Sequence, residues 1–395
     1  MSIFQITDNV YSVGVKDSGL TVFDITMETK YGTTYNAYLI KGTEKTVLID
    51  SVKKEFTDEF LKNIREIIPV DKIDYLIVNH TEPDHSGAIT TILDKNPGIE
   101  IYCSATAVPY VNNVINREIK ITGVKDKTTL ELGGKSLVFR LMPYMHWPDT
   151  MMEYLEEDKI LFSNDGFAAH LCSDSLFADE ITEDVDYEVD YYFDSIMRPF
   201  TGYIRRNLSK LDEHDIQMIA PSHGPIFRKN PVNCINNYKK WSIDKSEGKN
   251  HIAIIFASNY GNTRQIAKTI GVNLINAGFS TTYIDAAEHN TDDVREQIEL
   301  SKAILIGTPT FNGDAVIPIW NIINLFSTVY SIGKKAAVFG SYGWGGEGIK
   351  MVAERLTRLK LKVFEEQFRA RLIPSNDEMK ELDSFCNKLV DFINK

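Results

Sequence analysis

Two imidazoles and two carboxylates stand within the run His80-Thr81-Glu82-Pro83-Asp84-His85. The run follows Tyr75-Leu76-Ile77-Val78, an apolar stretch that reads as a buried strand, so the four side chains are expected on a loop at a strand end. Donors converging from such a rigid frame bind metal ions. His80 and Glu82, alternate residues, can turn toward one ion while Asp84 and His85 reach a second. Three later fragments add donors: His146 in Met145-His146-Trp147-Pro148-Asp149, Asp165 in Ser163-Asn164-Asp165-Gly166, and His223 in Pro221-Ser222-His223-Gly224. Each adjoins an apolar segment. Together they suffice for two ions sharing one carboxylate, with Asp165 available as the bridge. The carboxylates outnumber what zinc alone requires.

A second group of residues has the chemistry of a phosphate and ring cradle. Ser258-Asn259-Tyr260-Gly261-Asn262-Thr263 follows an apolar run and precedes an amphipathic one. Hydroxyls, a flexible glycine and the free amides of a helix N-terminus are what a phosphate needs. The same residue types also make ordinary caps and turns. Two further segments, Thr308-Pro309-Thr310-Phe311-Asn312-Gly313 and Ser341-Tyr342-Gly343-Trp344-Gly345-Gly346, each follow another apolar run of the same pattern. In an open α/β sheet such loops flank one crevice at the strand ends. Glycines let the backbone approach a flat ring, and Phe311 or Trp344 can pack against it.

The elements that must position these residues fall into two patterns. Up to about residue 245, short β-type runs (10–15, 34–40, 46–50, 74–79, 100–103, 136–142 and 151–155) interleave with helical stretches such as 55–67, which describes an α/β sandwich with mixed sheets. Residues 174–194 are acidic and aperiodic, a solvated loop or one that covers a site, and a helix follows to about Leu211. The polar stretch 239–250 reads as a connection. From His251 onward, strand and helix alternate strictly, as in a doubly wound parallel sheet. The expected domains are therefore 1–248 and 249–395.

Composition narrows the function classes. The net charge of -12 argues against nucleic acid or an anionic membrane as a partner. No run approaches the length of a spanning helix, and the start Met-Ser-Ile-Phe-Gln-Ile-Thr-Asp lacks the features of an export signal, so a cytoplasmic address is expected. Cys103, Cys172, Cys234 and Cys386 form no C-x-x-C pair, which leaves neither a disulfide framework nor a thiolate metal site.

The metal loop resembles the signature of the metallo-β-lactamase superfamily, His-x-His-x-Asp-His followed by single His, Asp and His ligands. The departure is Glu82, where that signature has histidine. A carboxylate there adds charge and a hard donor, moving the site from zinc hydrolysis toward iron redox chemistry. This departure is the one found in flavodiiron proteins, the A-type flavoproteins, and the similarity covers nearly the whole chain. Gly32-Thr33-Thr34-Tyr35-Asn36, His146-Trp147-Pro148-Asp149 and Ile196-Met197-Arg198-Pro199 also resemble that family, and the three loops after residue 257 resemble those that hold FMN in flavodoxins.

The resemblance implies a fold and a chemistry. The fold is an N-terminal metallo-β-lactamase-like αββα sandwich followed by a C-terminal flavodoxin-like doubly wound parallel sheet. One iron would be held by His80, Glu82 and His146 and the other by Asp84, His85 and His223, with Asp165 bridging; whether His85 ligates or yields to water stays open. His170 is a candidate to orient a carboxylate or a structural histidine, and Tyr191 and Tyr192 are candidate proton donors, pocket walls or packing residues. The implied reaction reduces dioxygen to water, nitric oxide to nitrous oxide, or both. A head-to-tail homodimer, or a dimer of such dimers, would bring the flavin of one chain against the diiron site of the other, with Trp147 in the junction. The sequence holds no rubredoxin-like cysteine pairs and no further nucleotide-binding module, so a separate donor, rubredoxin or reduced deazaflavin, is expected. The competing readings are a zinc hydrolase with a flavodoxin-like accessory domain and a flavin electron carrier with an inert first domain.

Overall fold

The computed structural model describes residues 4–246, 248–289, 291–329 and 331–395. The chain divides into two compact units, Met1–Ile243 and Asp244–Lys395. The division falls inside the polar 239–250 stretch, of which Glu247 lies outside the described residues.

The first unit contains two principal sheets. One has seven strands in the order Phe4–Thr7, Val10–Ser12, Tyr38–Lys41, Thr46–Ile49, Tyr75–Val78, Glu100–Ser104 and Ile121–Val124. The other has five: Thr129–Glu131, Ser136–Leu141, Met151–Leu155, Ile160–Asn164 and Met218–Pro221. Tyr75–Val78 lies between two parallel neighbours and is covered on both faces, which explains its unbroken apolar sequence. Strand alternation then divides the core. Ile40, Val47, Ile49 and Ile77 meet Phe139, Met151, Leu155 and Phe162 in one cluster, while Leu39, Leu48 and Leu76 join a second that includes Phe60 and Ile64 of the helix Thr57–Arg65. This is an αββα sandwich.

Two expected strands are each broken, and the breaks serve the loops above them. The 10–15 run splits at Gly14, where a Cβ would come within 2.2 Å of the Tyr35 carbonyl oxygen. The 34–40 run splits at Asn36, whose amide donates to the carbonyls of Pro221 and Gly224 at 2.9 and 2.8 Å and so ties this chain to the segment carrying His223. The acidic stretch 174–194 is not simply a solvated loop. Asp184 caps a helix, Val185–Tyr192, that buries Glu188, Val189 and Tyr192 and leaves Asp186, Tyr187 and Asp190 exposed.

In the second unit the parallel strands run in the order Ser280–Asp285, His251–Phe256, Ala303–Phe311 and Lys335–Tyr342, with Lys362–Val363 and Phe368–Arg371 both pairing with the last of these. Two separate apolar clusters cover its opposite faces, one with Ile319, Ile349 and Val352, the other with Ile266, Ile270, Phe385 and Leu389. The sheet is a flavodoxin-like doubly wound one. Among the described residues no helix is long and apolar enough to cross a membrane.

Candidate metal centre and flavin crevice

The loop after Tyr75–Val78 owes its shape to Pro83. Proline opens the short helix Pro83–Ser86, where its missing N–H costs nothing, and the Glu82 carbonyl accepts from the amides of His85 and Ser86, both at 3.0 Å. The turn separates Asp84 and His85 from His80 and Glu82. Asp149 pins the loop by accepting from the Thr81 amide at 3.0 Å and hydroxyl at 2.8 Å, and the Ser51 hydroxyl donates to the His85 carbonyl at 2.7 Å.

All seven predicted donors converge, in two sets. His80 Nε2 lies 3.1 Å from Glu82 Oε2 and 2.9 Å from Asp165 Oδ2, and His146 Nε2 lies 3.2 and 3.0 Å from the same oxygens. The other oxygen of Asp165, Oδ1, is 3.2 Å from His85 Nε2 and 3.5 Å from His223 Nε2, while Asp84 Oδ2 is 3.4 and 3.3 Å from those nitrogens. Donors bound to one ion at about 2.0–2.2 Å stand about 3 Å apart, so both sets have the spacing of a coordination shell. Asp165 assigns one oxygen to each.

The polar atoms of the second set support the same conclusion. Both oxygens of Asp84 and both ring nitrogens of His85 are buried without a hydrogen-bond partner. Buried polar atoms are normally paired, and an ion in the second set would satisfy Asp84 Oδ2 and His85 Nε2, the two of these atoms that face it. His85 turns inward as a donor. His223 Nδ1 donates to the Thr34 carbonyl at 2.6 Å, which leaves Nε2 free for an ion, and the Ser222 hydroxyl donates to Asp165 Oδ1. Burial works against charge at His80 and His146, but Asp165 and Glu82 outweigh it, raising His146 to about 9 and His80 well above its ordinary range. Protons thus compete for positions that cations would take.

The remaining predicted residues divide. His170 Nδ1 is 2.8 Å from Thr33 Oγ1, and its ring packs against Phe23, His223 and Tyr192 at 4.1, 4.9 and 5.0 Å. Burial, then His223, keep it neutral, and its contacts are with a hydroxyl and rings rather than with a carboxylate. Tyr192 is buried in the same aromatic group, its phenol held far above the ordinary range by burial and then by Asp165. Tyr191 instead stacks on the exposed Tyr187 at 6.3 Å.

One element was missed entirely. The hairpin of Val22–Phe23 and Met27–Glu28 places Phe23 on His170 and His223, and Asp24 follows with φ +47°. Partial burial, then Glu82 and Asp84, raise the Asp24 carboxyl. Two-residue strands carry no periodicity, so this hairpin left no readable signal. Access lies elsewhere: Glu82 and His146 are the most exposed donors, at 12 and 10% of their side chains. His146 lines an open cavity of about 540 Å³ with Thr81, Tyr110, Tyr144, Trp147 and Phe200.

The second unit presents its three loops at the carboxyl ends of parallel strands. Gly261, at φ +87°, precedes the helix Asn262–Asn276 and has no side chain to cap it; the Arg264 amide donates to the Ser258 hydroxyl at 3.2 Å, which leaves the amides of Asn262 and Thr263 to a ligand. Thr263 Oγ1 and Ser341 Oγ lie 2.9 Å apart, joining the first loop to the third. The middle loop is tighter than expected: Ala303–Phe311 continues into a hairpin turned by Asn312 and Gly313, both at positive φ. Tyr260, Phe311 and Trp344 are 92, 59 and 85% exposed, large aromatic faces available to a flat ring, and the Thr310 hydroxyl is buried without a partner. These residues fit FMN.

Comparison with known proteins agrees with both halves. A family model described as ODP family beta lactamase matches residues 33–224, and one described as Flavodoxin matches residues 254–384. The flavo-diiron protein FprA2 of Clostridium acetobutylicum is 40% identical over 393 residues, covering 98% of each chain. The chain belongs to the flavodiiron protein family. Another relative, the anaerobic nitric oxide reductase flavorubredoxin of Aliivibrio salmonicida, is 36% identical over 89% of this chain and 72% of its own length. Among solved structures, the rubredoxin oxygen:oxidoreductase of Desulfovibrio gigas superposes with a TM-score of 0.70 at 25% identity, covering 100% of this chain and 99% of that one. Membership in the flavodiiron family accounts for the pairing of a two-ion centre with a flavin crevice in one polypeptide.

Proposed function

We propose that this flavodiiron protein reductively removes dioxygen, nitric oxide or both, with two irons held by His80, Glu82, Asp84, His85, His146, Asp165 and His223. The observation that carries the reading is Asp165, whose two oxygens face two separate donor sets, one of them containing the carboxylate of Glu82. Bound there, two irons would supply electrons and Lewis acidity for a diatomic ligand, and FMN in the second unit's crevice would be their electron source. Thr34 and Ser222 orient His223 and Asp165, and Asp149 holds the ligand loop. Ser258, Thr263 and the amides of Asn262 and Thr263 would hold the FMN phosphate. The segments Asn259–Asn262, Pro309–Gly313 and Tyr342–Gly346 flank the ring.

The dimer follows the same logic. The cavity beside His146 and the exposed aromatics around the flavin crevice are both apolar surfaces, which would be covered together if the flavin of one chain docked against the metal centre of its partner. Rubredoxin or reduced deazaflavin delivers the electrons. Four free cysteines support a reducing, cytoplasmic setting.

Metal analysis with a visible spectrum tests the reading. Two irons and one FMN per chain are expected; zinc in a colourless protein would instead support a hydrolase. Steady-state turnover with each gas under a common donor then determines the substrate.

A further inference from the structure

Two ligand histidines have an aromatic ring against them on the cavity side. Phe200 meets His146 edge-on at 6.3 Å between centroids, and Trp147 meets His80 edge-on at 5.8 Å. From Phe200 the contacts continue away from the metal centre. Tyr144 stacks on Phe200 at 6.5 Å, Tyr203 lies 4.4 Å from Tyr144, and the Arg206 guanidinium sits over the Tyr203 ring at 4.7 Å. The ring-to-ring steps have the spacing of interacting aromatic pairs. Both tyrosines are half-buried, and Tyr203 stands outside the lining of the cavity to which Tyr144 and Phe200 belong.

The backbone fastens this arrangement. Tyr144 is in the left-handed region, at φ +64°, which a bulky residue rarely adopts. Its amide donates to the Trp147 carbonyl at 2.7 Å. Asn207, on the same helix Thr201–Leu208 as Tyr203, donates through Nδ2 to the Pro143 carbonyl at 2.9 Å, so the segments bearing the two tyrosines are tied together. Phenols yield an electron far more readily than the phenylalanine ring between them and His146. The guanidinium over Tyr203 opposes a second positive charge on that ring, so an oxidised Tyr203 sheds its phenolic proton to water.

We propose that Tyr144 and Tyr203 are an escape route for oxidising equivalents, protecting the ligand histidines when hydrogen peroxide meets the diiron centre and the flavin has no electrons to give. The inference rests on the diiron reading. Each phenol gives up one electron and one proton, and the O–O bond breaks: one hydrogen peroxide and two phenols become two waters and two tyrosyl radicals. A small thiol restores each phenol by returning a hydrogen atom at Tyr203, and the two sulfur radicals couple to a disulfide. Tyr35 and Tyr192 also have rings near a ligand, 5.8 and 6.3 Å from His223, but both are fully buried and offer no exit.

Freeze-quench electron paramagnetic resonance tests the route, on oxidised protein holding iron and FMN and mixed with hydrogen peroxide. A tyrosyl signal is expected from the wild type and not from iron-free protein. It should be lost in the double variant Tyr144→Phe with Tyr203→Phe, which keeps both rings in place, and about halved in Tyr203→Phe alone, which keeps one phenol. Peptide maps should show His146 oxidised in the double variant and spared in the wild type. An undiminished signal in the variants would put the radical on Tyr35, Tyr192 or elsewhere and overturn the route, as would the same signal without iron. Iron content is measured first: protein that binds no iron refutes the diiron reading and this one with it, whereas iron-loaded protein without a radical refutes this one alone.

Discussion

Glu82 Oε2 and His146 Nε2 lie 3.2 Å apart, joining the loop after one sheet to the loop between two strands of the other. In the proposed site this carboxylate would supply both a donor for the first ion and the charge that favours iron. Replacing Glu82 with Ala is expected to reduce bound iron by more than tenfold in affinity, beyond the lower end of the roughly 10–100-fold effect of losing a supporting residue. FMN content should stay at the wild-type level, because the flavin loops belong to the other unit. Unchanged iron in the variant, measured by metal analysis, would remove Glu82 from the ligand set.

Ser222 acts on the bridge rather than on an ion. Its hydroxyl donates to Asp165 Oδ1, the oxygen shared with the second donor set. Ser222→Ala should therefore weaken metal retention about tenfold while leaving the seven donors in place. A chelator competition series on wild type and variant measures it; equal midpoints would show that the bond is dispensable.

Tyr110 tests the dimer. It is 38% exposed and lines the cavity beside His146 but is not itself one of the seven proposed ligands. Aromatic residues often dominate interfaces, and truncating one commonly costs more than about 1 kcal/mol. Tyr110→Ala is expected to weaken dimerisation about tenfold, read by sedimentation, with iron and FMN content unchanged. Association as tight as in the wild type would place the junction elsewhere.

The stripped protein should respond to pH in a defined direction. Burial opposes a charged imidazole, but Asp84 and Asp165 at His85, and Asp165 and Glu82 at His146, raise both to about 9. A folded-state value above the ordinary 6.5 stabilises the fold fully below pH 6.5, and that stability is lost as pH rises through about 9. Melting temperature of the chelated protein should fall across this interval. Iron-loaded protein should not follow it, since cations bind the deprotonated imidazoles.

The order of layers was legible because apolar runs and their alternation reflect burial directly. Tyr75-Leu76-Ile77-Val78 and the five strand and helix pairs after His251 announced themselves this way. The seven donors were legible because histidine and carboxylate at strand ends have few other uses at such density. What stayed hidden depends on contacts between distant segments. Asn36 breaks a strand to reach Pro221 and Gly224, Phe23 reaches His170 from a hairpin too short to show a period, and Glu153 looks like an ordinary polar alternation until its burial is seen. The helix Val185–Tyr192 was masked by its acids, of which Asp186 and Asp190 are exposed and Glu188 is buried.

The donors are distributed across both sheets: four follow Tyr75–Val78, and the others follow Ser136–Leu141, Ile160–Asn164 and Met218–Pro221. Ions held by these proposed donors would therefore give a protein whose cysteines are all free a cross-link of another kind, closing chain loops as long as that from His80 to His223. Vectorial synthesis gives this a temporal meaning. The final donor emerges only after nearly all of the first unit has left the ribosome, so a completed pair of ions certifies that both sheets have already come together.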